Sequence, residues 1–288
     1  MKILVIGAAG QLGQSIRKVG ATQNSHEIFF ADRNTANILE YDGLDTLFKS
    51  FMPQFVVNCS AYTAVDKAES DIEACRKLNV EGPENLAKLC NTHGAVLVHV
   101  STDFVFAGQV PEPLAETAAT NPINVYGQTK LEGEEAVANY LPAHYIIRTS
   151  WLYSEFANNF VKTMRRLAIG RTALSVISDQ VGTPTYAVDL AEAIFDIINS
   201  QKAAYGLYHF SNEGLSSWYD FAVAIFELSK TPIQVNPIMT SEYPTAAMRP
   251  KFSVMNKGKI KQTFGIKIPY WRESLARCID NLNQESLS

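Results

Sequence analysis

Lys2-Ile3-Leu4-Val5-Ile6-Gly7-Ala8-Ala9-Gly10-Gln11-Leu12-Gly13 decides the fold. The apolar run 3–6 reads as a buried strand, and Gly7-x-x-Gly10-x-x-Gly13 follows it at once. Glycine lets a chain turn tightly and lets its backbone approach a pyrophosphate. That anion would then rest at the positive N-terminus of the helix starting at Gln11. A plain strand-to-helix turn uses glycine too, but its place at the head of a strand–helix unit favours a dinucleotide cofactor.

Working outward, the same rhythm repeats. Apolar runs at 28–31, 55–59, 96–100 and 145–148 alternate with helical patterns near 44–51, at 71–92 and at the segment carrying Tyr126 and Lys130. Continuous rather than alternating apolar strands, separated by helices, predict a parallel sheet covered on both faces. The fold class is therefore α/β: a doubly wound parallel sheet of Rossmann type, with ligands beyond the carboxyl ends of its strands. Beyond residue 150 the rhythm breaks. A helix at 189–198 and a strand at 207–210 extend the sheet. The less regular 178–186, a helix at 217–228 and the Pro-punctuated 232–250 suggest a smaller C-terminal substrate-binding lobe. Residues 1–150 and 187–210 are thus expected to form the dinucleotide-binding domain, with 151–186 and 211–288 as a discontinuous lobe. Residues 283–288 are expected to fray.

The 288 residues are 47% hydrophobic and 19% charged, which suits an ordinary globule with a sizeable core. The net charge of −4 and scattered basic residues show no footprint for nucleic acid. Cys59, Cys75, Cys90 and Cys278 lack paired spacing and read as reduced thiols rather than disulfides or zinc ligands. The first apolar run is too short for a signal peptide, and no stretch approaches the roughly 20 residues of a membrane span. A cytoplasmic protein with neither nucleic-acid nor membrane partner is expected.

Tyr126 and Lys130 are four residues apart, hence neighbours on one helix face. A cation beside a phenol favours the phenolate and would lower its pKa. Ser101-Thr102-Asp103 closes the fourth strand, where a hydroxyl either bonds a substrate carbonyl or caps the strand. Asp32 closes the second strand, where a carboxylate would accept bonds from ribose hydroxyls and favour NADH. Arg33 beside it would instead meet the extra phosphate of NADPH, so the choice stays open. Ser60 and Ala61 are small enough to let a ribose lie against backbone, while Asp66, Lys67 and Glu69 read as helix-start residues. The combination points to a nicotinamide-dependent carbonyl reductase.

With these segments in order, the chain resembles the extended short-chain dehydrogenase/reductases, whose short-chain class the G-x-x-G-x-x-G spacing suits. Within them it is similar to the dTDP-4-dehydrorhamnose reductases. The matching stretches are 7–13, 61–69, 101–103, 124–134, 148–153, 158–160, 179–185 and Arg249-Pro250. The resemblance implies reduction of the C4 ketone of a dTDP-4-keto-sugar, dTDP-4-dehydro-β-L-rhamnose, by NADPH or NADH. It implies Tyr126 as proton donor, Lys130 as its partner and ribose ligand, and Thr102 as the hydroxyl on the carbonyl. Thr102, Asp103 and Trp151 would contact the sugar. Gly7, Gly10, Gln11, Leu12 and Gly13 would hold the pyrophosphate, and Asp32, Ala61, Tyr62 and Thr63 the ribose and adenine. Asn37 and Ile38 stand where relatives often carry an Asp-led pair near the adenine. Some members dimerise around Mg²⁺ through acidic side chains, but the matching Ser15 and Val188 cannot serve, so no metal ligand is assigned. A monomer and a homodimer both stay open. The fold also serves other nucleotide-sugar ketoreductases and epimerases, and a related branch is the non-catalytic subunit of methionine adenosyltransferase. Intact Thr102, Tyr126, Lys130 and Trp151 favour catalysis.

Overall fold

The structure, a computed structural model, describes residues 1–285. Six parallel strands form the central sheet in the order Gly206–His209, His144–Thr149, Val96–Thr102, Phe55–Asn58, Lys2–Ile6, Glu27–Ala31. The chain runs outward in both directions from Lys2–Ile6, so the switch point lies between that strand and Phe55–Asn58. In open α/β sheets that is where ligands bind, at the carboxyl edge.

Strand periodicity explains why the runs are apolar throughout. Ile3 and Val5 face one side with Val57, Val98 and Ile147, beneath Leu12 and Ile16 of helix Gln11–Gly20 and Leu190 and Ile194 of helix Ala187–Ser200. Leu4 and Ile6 face the other with Val56 and Leu97, beneath Phe48, Leu86 and Val137 of helices Tyr41–Phe51, Gly82–His93 and Val125–Tyr140. Each such aliphatic side chain, once buried, contributes about 1.5–3 kcal/mol.

A separate apolar cluster gathers Tyr153, Met164, Val176, Phe221, Ile225 and Leu275. Ile260 and Ile266, though late in the chain, cross back to the core under the sheet. The stretch 232–250 holds a strand, Gln234–Ile238, paired in parallel with Ala173–Ile177. Pro237 hides it in the sequence; a two-stranded edge tolerates a residue that cannot donate to the ladder. Helix Trp218–Leu228 starts on a reciprocal Ser217/Asp220 capping box. The expected fraying at 283–288 is corrected in part: helix Trp271–Glu285 carries through Glu285, and 286–288 lie outside the described residues.

The expected helix at 71–92 is helical but not uniform. Ile72–Arg76 runs into a π-helical turn, Lys77–Glu81, before Gly82–His93 resumes. Such a turn inserts one residue into the winding and is frequent at functional sites.

Candidate active site

The glycine loop is shaped by close approach. Gly7 has φ +79°, and a Cβ there would lie 2.8 Å from Ser60 N. A Cβ on Gly13 would lie 2.5 Å from Ala8 Cα, so the helix start packs directly on the loop. Gly10 caps that helix with no side chain in the way, and no acidic residue stands in its first turn. Orphan N–H groups of a first helical turn therefore face the switch point, which suits an anion. The Gln11 side chain is engaged elsewhere: Nε2 donates to Leu152 O at 3.0 Å and Oε1 accepts from Asn159 at 2.8 Å. The Gln11 backbone and one remaining Nε2 hydrogen are left for a pyrophosphate.

At the second strand end, Asp32 Oδ1 accepts from Asn34 N, Thr35 N and Thr35 Oγ1 at 2.9–3.0 Å. The Thr35 bonds hold its carboxyl below the usual range. Asn37 Oδ1 caps Leu39 N at 3.2 Å. Ile38 is turned into the core against Gly82, with its carbonyl taken by Asn85 at 3.0 Å. Its side chain is therefore not an adenine wall. The 61–63 loop is pinned by Asn79 of the π turn. Asn79 Oδ1 accepts from Tyr62 N at 2.8 Å, and Nδ2 donates to Tyr62 O at 3.2 Å and to Thr129 Oγ1 at 3.1 Å.

Tyr126 is the second residue of helix Val125–Tyr140, whose cap Asn124 accepts from Gly127 N at 2.7 Å. Gly127 lies on the Phe104 carbonyl with no room for a side chain, which brings the helix start against the end of the fourth strand. The Tyr126 ring meets Phe104 edge-on, with centroids 5.6 Å apart, two residues past Thr102. Thr102 Oγ1 reaches Asp103 Oδ1 at 3.1 Å and accepts from Phe104 N at 3.2 Å. Thr102 and Asp103 are both buried, and Asp103 Oδ2 has no protein partner. Burial pushes the Asp103 carboxyl up to about 6.

Lys130 is buried, and it corrects the sequence reading. Its Nζ donates to Val100 O at 2.8 Å and approaches His99 Nε2 at 3.4 Å, rather than facing the phenol. The Tyr126 pKa is accordingly raised, by burial first of all, not lowered by the ammonium. Sharing a helix face does not fix where a long side chain ends; here the Val100 carbonyl, one residue past the last pair with the Phe55–Asn58 strand, draws it inward. Burial brings Lys130 down to about 8, opposed by the charge of Glu134 one turn on. Glu134 is itself clamped by Arg148 at 2.6–3.2 Å and by Ser101 Oγ.

Trp151 departs from expectation too. Its φ of +46° is unusual for a bulky residue. Its indole stacks on Trp218 with centroids 3.6 Å apart and 8° between planes. A Cβ on Gly182 would lie 2.7–2.9 Å from indole Cε2, Cζ2 and Nε1. The backbone of Gly182 therefore takes up the space beside the ring, and Trp151 has little face left for a sugar. The indole that opens on a cavity is Trp218. With Phe160, Met164, Gln180, Tyr243 and Arg249 it lines a space of about 1080 Å³.

The whole of residues 1–284 matches the family model described as the RmlD substrate binding domain. The dTDP-4-dehydrorhamnose reductase of Aggregatibacter actinomycetemcomitans is 40% identical, over 95% of this chain and 97% of that protein. The chain belongs to the dTDP-4-dehydrorhamnose reductase family. The crystal structure of the Clostridium acetobutylicum member superposes with a TM-score of 0.95 at 43% identity, covering 98% of this chain and 100% of that one. The Bacillus anthracis member, solved in complex with NADP, gives 0.94 at 36% identity over 97% and 99%.

Against that family background, the magnesium attribute does not fit here. Ser15 is fully buried with its hydroxyl on Gln11 O, and Val188 packs in the lobe core. Among the described residues no group of three His, Cys, Asp or Glu side chains is placed to hold a metal. The nicotinamide cofactor does fit: the Gly7/Gly13 cradle would be filled by any Cβ, and the helix-start donors lack acidic competition. Asn79 and Trp218 are the side chains the sequence reading passed over. The only local signal for Trp218 is the capping Ser217 before it, and nothing local announces the π turn that aims Asn79 at Tyr62.

Proposed function

We propose that Tyr126, Thr102 and Lys130 carry out reduction of the C4 ketone of dTDP-4-dehydro-β-L-rhamnose to dTDP-L-rhamnose. The observation that carries this reading is the meeting of the Thr102 strand end with the first turn of the Tyr126 helix, where Gly127 lies on the Phe104 carbonyl. When bound, NADPH or NADH supplies the hydride that reaches the carbonyl carbon. Tyr126 supplies the proton. Burial raises its pKa, so the phenol is neutral near pH 7 and holds the proton that the developing alkoxide oxygen must receive. Thr102 Oγ1 would polarise the carbonyl oxygen once its proton turns from Asp103 Oδ1 to the substrate. Lys130, held by Val100 O, would bond the nicotinamide ribose and keep positive charge beneath the site.

The backbone of 10–13 would hold the pyrophosphate, and Asp32 with 61–63 the adenosine half. Residues 1–150 with 187–210 would be the cofactor domain, and 151–186 with 211–288 the sugar lobe. The cluster of Tyr153, Phe221 and Leu275, distinct from the two cores of the sheet, supports this division, while Ile260 and Ile266 under the sheet and Val188 in that cluster cross it. Trp218 rather than Trp151 would offer the aromatic face to the substrate. A cytoplasmic location agrees with the absence, among described residues, of any helix long and apolar enough to cross a membrane. Monomer and homodimer are separated by sedimentation equilibrium.

The test is turnover of the 4-keto sugar with each reduced nicotinamide, followed by loss of its absorbance. Consumption of cofactor and appearance of dTDP-L-rhamnose support the reading. No turnover of the sugar by folded, cofactor-binding protein would refute it.

A further inference from the structure

Two carboxylates on one short helical segment reach opposite sides of the candidate site. Helix Val65–Ala68 follows directly on the 61–63 loop. Glu69, just past its end, accepts a hydrogen bond from Val125 N at 2.9 Å. Val125 opens the helix that carries Tyr126, and the cap Asn124 serves Gly127 instead. An orphan donor at a helix N-terminus is thus met by a carboxylate, a pairing that the helix dipole also favours.

Asp66 faces the other way. Its Oδ1 accepts from Ala247 N at 3.1 Å and Arg249 Nη1 at 3.0 Å, and its Oδ2 from Arg249 Nη2 at 2.6 Å. The segment 243–249 is a strap: Tyr243, Pro244, Thr245 and Arg249 line both the large cavity and a second one of about 850 Å³. Asn124 Nδ2 closes the ring by donating to Met248 O at 2.7 Å. A surface ion pair alone would contribute little. This one is bidentate, leaves the Arg249 side chain only 22% exposed, and holds a backbone N–H as well.

We propose that Asp66 and Glu69 are positioning residues for the reaction. Asp66 holds the strap against the substrate cavity, and Glu69 holds the first turn beneath Tyr126. The short helix between them, with the Asn124–Met248 bond, couples the two. This inference rests on the reading of Tyr126 as the proton donor.

Amide hydrogen exchange and steady-state kinetics on Asp66→Asn, Glu69→Ala and Glu69→Gln test it. Loss of a hydrogen bond to a charged group corresponds to roughly a 10- to 150-fold change. Asp66→Asn keeps one acceptor oxygen but loses the charge and the bidentate pair with Arg249. It is therefore expected to speed exchange at Ala247 by up to about tenfold, to speed it measurably at Val125 and Gly127, and to raise KM for the sugar about tenfold. Glu69→Ala should lower kcat more than it raises KM, with Glu69→Gln restoring part of kcat because an acceptor oxygen remains. Exchange at Val125 and Gly127 unchanged in folded Asp66→Asn would overturn the coupling. Values of kcat and KM within twofold of wild type in both Asp66→Asn and Glu69→Ala would overturn the positioning role. Exchange does not depend on substrate, so wild-type protein inert toward the sugar but showing the coupled exchange would sink the functional reading and support the coupling.

Discussion

Replacing Gly13 with alanine tests the cofactor loop with one methyl group. The new Cβ would sit 2.5 Å from Ala8 Cα and from Gly7 O, and 2.8 Å from Ala8 C. Ordinary van der Waals contact begins near 3.4 Å, so helix and loop must separate by roughly 1 Å. All three obstacles are backbone atoms, and no rotamer change relieves them. Two terms nearly offset in stability: alanine gains about 1 kcal/mol over glycine inside a helix, while overpacking costs about 1–3 kcal/mol. The melting temperature should therefore fall only slightly. Binding of an anion at the helix start should suffer far more, because the N–H groups retreat with the helix. Losing one hydrogen bond to a charged group costs about 1.5–3 kcal/mol, or at least tenfold in Kd at about 1.4 kcal/mol per decade. Fluorescence titration with NADPH measures Kd, and a thermal melt measures stability. Gly43→Ala is the control, since its nearest neighbour would be 3.9 Å away; it should leave Kd unchanged. A Gly13→Ala variant that binds NADPH within twofold of wild type would refute the placement of the pyrophosphate here.

Tyr126→Phe should cut kcat by about 10²–10⁴ with NADPH affinity preserved; near-wild-type kcat in single-turnover experiments would remove the phenol as proton donor. Trp218→Ala should raise KM for the nucleotide sugar, whereas Trp151→Ala, which vacates a stacked and packed ring, should mainly lower the melting temperature. Reversed outcomes in paired kinetics and melts would return Trp151 to the sugar wall. Asp32→Ala should shift the kcat/KM ratio from NADH towards NADPH, and an unchanged ratio would place the carboxylate away from the ribose. Asp103 is raised from 3.8 to about 6 in the folded chain. Between those values the native state binds more protons than the unfolded one, so its contribution to stability falls as pH rises through that window. Asp103→Asn should flatten this fall in denaturation curves taken from pH 4 to 7.

The parts of this molecule legible in sequence are those whose cause is local. A parallel strand buried on both faces must be apolar at every position, so Lys2–Ile6 and its neighbours declare themselves. Gly13 is required by a close approach to Gly7 and Ala8 a few residues before it. The backbone that Gly7 meets, at Cys59 and Ser60, instead comes from the third strand's end and shows locally only as the turn at φ +79°. Gln234–Ile238 escaped because its Pro237 and polar residues are tolerated only at an edge, and an edge is a property of the partner strand Ala173–Ile177. The packing of Trp151 was hidden for a similar reason. Position at the end of the fifth strand does place it near the substrate side, but its ring is set by Trp218 and Gly182, distant in sequence.

Lys130 makes the same point about chemistry. Helical spacing brings its Cβ under Tyr126, yet the ammonium ends on Val100 O. That carbonyl lies just past His99, where pairing with the Phe55–Asn58 strand ends while pairing with His144–Thr149 continues to Thr102, so polar groups on the freed side need partners. The cation therefore does not make Tyr126 a better base in the free protein. What the fold provides is a neutral phenol, raised in pKa by burial, on a ring packed edge-on against Phe104. Ketone reduction requires that state, because the tyrosine must give a proton and not take one. In the opposite direction, alcohol oxidation, the same burial would oppose formation of the phenolate base. On the proposed roles both limbs belong to one phenol, so a pH–rate profile of each direction should show reduction falling and oxidation rising about a shared pKa above the ordinary phenol value of about 10.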